Sequence, residues 1–156
     1  MGTRSRIGVM HGDVCKSVYC HWDGYLEHNG RILQEYYNSS RANELVAMGD
    51  ISSLGELIGE KHPFSPYAFA EDKIAHEAAV DAAGWTTFYA RDRGETGVEF
   101  ATDFSFADFL NRVDDSGAEY YYIMRDGVWY TGCPGKGSKL VALVEALAAI
   151  KEPVNA

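Results

Sequence analysis

The stretch Glu119-Tyr120-Tyr121-Tyr122-Ile123-Met124-Arg125-Asp126-Gly127-Val128-Trp129-Tyr130-Thr131 decides the fold. β-Branched and aromatic residues flank Asp126-Gly127, a dipeptide that adopts the left-handed conformations of a two-residue type I′ turn, so residues 119–125 and 128–131 pair as a hairpin. Working outward, a second hairpin is expected from Arg6–Met10 and Ser17–Trp22 across His11-Gly12-Asp13, and a third from Trp85–Arg91 and Val98–Thr102 across the polar 92–97 segment. Three hairpins without a long alternation of strand and helix predict a single α+β domain over residues 1–156. Its sheet is mainly antiparallel, of about six strands, covered by helices in the order ββααα-αββαββα.

The covering helices are read from caps and apolar period. Ser105 with Asp108 has the capping-box form, followed by Phe106, Phe109, Leu110 and Val113 on one face. Shorter helices are expected around Ile32, Leu33, Tyr36 and Tyr37, after a Ser40 cap with Leu45 and Val46, and after a Ser53/Glu56 capping box. Ile74–Ala83 is rich in alanine, which suits a helix lying close on a sheet, and a Ser138 cap opens a last helix carrying Leu140, Leu143, Val144 and Leu147. Residues 60–71, with two prolines and three aromatics, read as a loop.

At 156 residues, 46% hydrophobic and 24% charged, the chain has material for one core and not for two. Its net charge of −9 disfavours extensive nucleic-acid binding, because a phosphate array needs a basic face. The charge is uneven: residues 1–65 carry −2 and residues 66–156 carry −7, so an anion pocket belongs in the motif-bearing first part. Three cysteines, an odd number, and no charged-then-apolar leader at the N-terminus point to a cytoplasmic protein with reduced thiols. The apolar run near Leu140–Ile150 is too short for a bilayer, so no membrane role is expected.

The densest chemistry lies in Tyr19-Cys20-His21-Trp22-Asp23-Gly24-Tyr25-Leu26-Glu27-His28-Asn29-Gly30-Arg31. Strand alternation points Tyr19, His21 and Asp23 one way and Cys20 and Trp22 the other. Asp23 orienting His21 or His28 would make a general base, giving a small phosphoester or nucleotide hydrolase. As a binding site, Arg4 and Arg31 would pair an anion, Trp22 or Tyr25 would stack, and His21, Asp23 and Asn29 would supply polar recognition. The same residues have a plain structural reading, with Trp22 and Tyr25 as core anchors and Asp23-Gly24 as a turn.

Other patterns are weaker. Cys15, Cys20, His21 and His28 have no standard zinc spacing, and adjacent Cys20 and His21 face apart on a strand, so neither a metal nor a cofactor is expected. Residues 132–139 resemble a phosphate loop, but Ser138 rather than lysine follows the second glycine and Lys136 comes too early; only a looser amide anion site at Ser138 survives. Cys133 lacks a nameable base. Tyr120, Tyr121 and Tyr122 would stack bases only if exposed, and two-sided burial is the simpler reading. The acids between Glu71 and Asp126 would suit a protein-only inhibitor or a nucleic-acid mimic, or merely a solvated surface.

Residues 1–9 (Met-Gly-Thr-Arg-Ser-Arg-Ile-Gly-Val), 18–30 (Val-Tyr-Cys-His-Trp-Asp-Gly-Tyr-Leu-Glu-His-Asn-Gly) and 49–55 (Gly-Asp-Ile-Ser-Ser-Leu-Gly) resemble a family of small proteins carried by bacteriophages and some bacterial genomes. The resemblance covers about the first 65 residues and rests on Arg4, Ser5, His21, Trp22, Asp23, Gly24, Tyr25, His28, Asn29 and Gly30. It implies a phage context in the host bacterial cytoplasm and assigns no catalytic residue. The expectation is an accessory protein for host takeover or anti-defence. Its partner is a host or defence-system protein or a small anionic nucleotide-like ligand, with self-association into a homo-oligomer open.

Overall fold

The computed structural model describes residues 2–62, 70–132 and 139–151, an α+β arrangement of one mixed sheet and helices. Strand β1 (Ser5–His11) turns at Gly12, φ +64°, into β2 (Val14–Cys20). A π-helical turn, Leu26–Gly30, runs straight into α1 (Arg31–Tyr36), then α2 (Ser39–Ala47) and β3 (Ile51–Ser53). After α3 (Ala70–Ala83) come β4 (Thr87–Phe88), α4 (Tyr89–Arg93), β5 (Ala101–Asp103) and α5 (Phe106–Asp115). The chain closes with β6 (Tyr120–Arg125), β7 (Val128–Gly132), β8 (Val141–Ala142) and α6 (Leu143–Lys151).

Two of the three expected hairpins form. The opening one pairs Ser5 with Cys20 through to His11 with Val14, and Asp126-Gly127 (φ +51° and +80°) turns β6 into β7. The third does not. The buried Asp92 carboxylate accepts the Phe88 N–H at 2.8 Å and bends the chain into α4, and β5 pairs with β2 instead of β4.

The described sheet has eight strands rather than six, in the order β4-β3-β2-β1-β6-β7-β8 with β5 also on β2. Its centre is parallel: β1 and β6 run together from Ser5/Tyr120 to Met10/Arg125, and β2 meets β3 in parallel at Cys20/Ile51. Near-continuous burial accounts for this, since Tyr121, Tyr122 and Ile123 are wholly buried and both faces of a central strand must be covered. Two-sided burial therefore removes Tyr121 and Tyr122 as base-stacking residues.

One sheet face carries Ile7, Val9, Val18, Cys20, Tyr122, Met124 and Trp129 under α1, α2 and α6. The opposite face carries Cys15, Tyr121 and Ile123, and among the described helices only α5 adds to that core, through Phe109 and Val113. Ser105 caps α5 as expected, its hydroxyl accepting the Asp108 N–H at 3.1 Å.

Several caps differ from expectation. Asn38, not Ser40, caps α2, its side chain accepting the Arg41 N–H. The Ser53/Glu56 helix is replaced by β3 and a bridge between Leu57 and Trp85. The alanines of α3 do not lie on the sheet: Ala75, Ala78, Ala79, Ala82 and Ala83 are exposed and Val80 is buried. The last helix begins at Leu143, and the Ser138 cap lies outside the described residues.

Candidate functional site

The turn after β2 positions the motif. Asp23 has φ +55° and so leaves the strand's alternation, carrying the chain into Gly24. A side chain at Gly24 would lie 2.7 Å from the Ser5 Cβ and 2.8 Å from the Thr3 oxygen, so only glycine permits this crossing. The Gly24 N–H donates to Thr3 O at 2.7 Å, and the Tyr122 hydroxyl donates to Gly24 O at 2.6 Å. Asn29, fully buried, locks the same turn: its amide nitrogen reaches Ser5 Oγ, Cys20 Sγ and Trp22 O at 3.3–3.4 Å. Asn29 is thereby a structural clamp rather than a ligand contact.

This turn divides the candidate residues into two groups. In the first, the Tyr19 hydroxyl and His21 Nδ1 share a hydrogen bond of 2.7 Å, and His21 meets the ring of Trp22 edge-on at 4.7 Å. Trp22 is 42% exposed, a solvent-facing ring and not a core anchor. Burial pushes the Tyr19 hydroxyl's pKa up and the positive charge of Arg4 opposes it, while the Arg4 Nη1 lies 3.2 Å from where a Cβ at Gly117 would stand. Among the described residues, the Arg4 side chain has neither a hydrogen bond nor an ion pair.

In the second group, Asp23 and His28 line a cleft of about 420 Å³ with Ile32, Leu54, Glu56, Asp81 and Trp85. His28 Nδ1 bonds Asn29 Oδ1 at 3.1 Å, and its ring meets Tyr25. The structure gives no hydrogen bond between Asp23 and either histidine. Among its lining residues the charged ones are Asp23, Glu56 and Asp81, which suits a donor-rich ligand better than an anion. Arg31 does not line this cleft. It opens α1 with a buried Nε that has no hydrogen-bond partner among the described residues.

The thiols are excluded from catalysis where they are described. Burial pushes both Cys15 and Cys20 to about 12, far from a reactive thiolate, and they belong to cores on opposite sheet faces. No cluster of metal-binding side chains occurs among the described residues. Cys133 and the glycine-rich segment before Ser138 lie outside the described residues.

Two features escaped the sequence reading. One is Arg6, 6% exposed on β1, whose Nε donates to Ser17 Oγ at 2.9 Å. The other is a knot around Asp92, whose carboxylate accepts from His62 N, Phe88 N and the Arg91 guanidinium, while Arg91 also donates to the carbonyls of Ile58, Gly59 and Thr86. His62 stacks on Trp85 there, and burial lowers its pKa against the opposing pull of Asp92. A residue between polar loop neighbours gives no sequence signal of such burial.

No family model, no curated protein and no solved structure matches this chain. Among the described residues, no helix is long and apolar enough to cross a membrane.

Proposed function

We propose that this protein binds a small anionic, nucleotide-like ligand without turning it over, as an accessory protein of the phage kind that its N-terminal motif resembles. The observation that carries the reading is Arg4. In a chain of 14 basic and 23 acidic side chains, a guanidinium normally finds a carboxylate, yet among the described residues Arg4 has no ion pair, and its charge acts on Tyr19, whose hydroxyl bonds His21 next to Trp22. An arginine offers a phosphate two parallel donors, and a half-exposed tryptophan held by His21 offers a stacking face. Hydrolysis by His21 or His28 with Asp23 has less support, because Asp23 holds neither ring and the His28 cleft is lined with carboxylates. A purely acidic inhibitory surface is weakened by Asp92 and Asp103, both buried in ion pairs.

Calorimetric titration of a nucleotide panel, with product analysis of each mixture, tests the proposal. Wild type is expected to bind at least one phosphorylated nucleoside and return it unchanged. Arg4→Ala and Trp22→Ala are each expected to weaken binding about tenfold while leaving the melting temperature within a degree or two. Absence of binding across the panel overturns the proposal, and turnover lost in His21→Ala or His28→Ala replaces it with the hydrolase.

A further inference from the structure

We infer that Arg6 is the inner half of the anion seat whose outer half is Arg4, so that the ligand is held through a phosphate or diphosphate group at the Arg4 end of β1, beyond the core that α5 covers. This rests on the proposed anion-binding reading and extends it to a residue buried in the sheet.

Arg4 lies just before β1, its carbonyl accepting the Glu119 N–H at 2.8 Å and its Nη1 facing Gly117 after α5, while Arg6 is on β1 beside Tyr121. In register, Arg6 stands between Tyr19 of β2 and Tyr121 of β6, with Gly8 next along β1 leaving room for its side chain to lean towards Ser17. Arg6 as a residue is 6% exposed, and burial lowers its pKa. Its hydrogen bonds go to Ser17 alone, Nε to the hydroxyl at 2.9 Å and Nη2 to the carbonyl at 3.4 Å. Among the described residues, no carboxylate forms an ion pair with it.

The acids that do act on it are committed elsewhere. Asp103 is gripped by the Arg112 fork at 2.8 and 3.0 Å, and Asp50 accepts the Tyr19 N–H at 2.9 Å. The guanidinium whose charge acts on Arg6, that of Arg112, is itself taken up by Asp103. A buried cation that lacks a counter-charge is costly unless something supplies one. An anion arriving along the Arg4 side supplies it, with Nη1 as a donor that has no hydrogen bond among the described residues. The planar fork suits a phosphate where a lysine would not.

Binding of inorganic pyrophosphate and of ADP to the intact protein, measured by calorimetry, tests this inference. Arg6→Gln is expected to weaken pyrophosphate binding about tenfold or more, and Arg6→Lys to recover part of the loss. A purely structural arginine would instead lower the melting temperature in both variants without moving the affinity of the folded fraction. In wild type, the Arg6 Nε–Hε NMR signal is expected to shift on pyrophosphate addition, which decides the matter even if Arg6→Gln fails to fold. An unmoved signal at saturating pyrophosphate, or wild-type affinity in folded Arg6→Gln, overturns the inference. If Arg4→Ala still abolishes ADP binding in that case, the proposed function stands without Arg6; if wild type binds neither probe, both fall.

Discussion

Arg91 and Arg6 are both half-hidden or hidden arginines, and their surroundings are opposite. Arg91 gives its donors to Asp92 and to three backbone carbonyls, and it lies over the Phe88 ring. Among the described residues, Arg6 gives two bonds to one serine, and the Arg4 side chain gives none. The first region is electrostatically complete and ties residues 58–62 to β4 and α4. The second retains positive charge in an acidic protein. Completed networks report on folding, and uncompensated ones report on what the fold has still to meet.

The sharpest way to break that comparison is to damage the complete side. Asp92→Ala leaves a buried guanidinium and two backbone N–H groups without their acceptor, and is expected to cost about 3–5 kcal/mol in chemical denaturation. A cost below 1 kcal/mol would mean that Asp92 is no keystone. Gly24→Ala comes next, at about 1–3 kcal/mol, because its Cβ meets Ser5 and the Thr3 carbonyl; the same unfolding curves read it.

The smallest effect concerns pH. The folded state holds the His62 proton less tightly than the unfolded chain, whose histidine titrates near the ordinary 6.5. Protonation therefore favours unfolding, and stability is expected to fall as pH drops below about 6.5. Melting curves of His62→Gln between pH 7.5 and 5 are expected to fall less steeply than wild type, and an unchanged slope would remove His62 as the cause.

What the sequence disclosed was local. Asp126-Gly127 and Ser105 with Asp108 act over two to four residues, and both turned out as read. The parallel pairing of Ser5 with Tyr120 leaves no trace in either segment, because a central strand's pattern does not name its neighbour. Likewise Asp92 looked like a polar loop residue, and only the fold supplies the three donors that bury it. In the candidate site, alternation placed Tyr19 with His21 on one side, as found, but it failed at Asp23, where a left-handed backbone ends the strand. Arg6 was invisible because β1 read simply as apolar, and its burial depends on β6, far along the chain.

The placement of β1 between β2 and β6 also has a consequence in time. The opening hairpin is synthesised first, yet the neighbour on its other edge begins only at Tyr120. At about 5–20 residues per second, Ile7 and Val9 wait on the order of ten seconds beside an open row of backbone donors and acceptors. During that interval the nascent chain offers a sticky edge, so the yield of native protein will depend on how quickly α5 and β6 follow out of the ribosome.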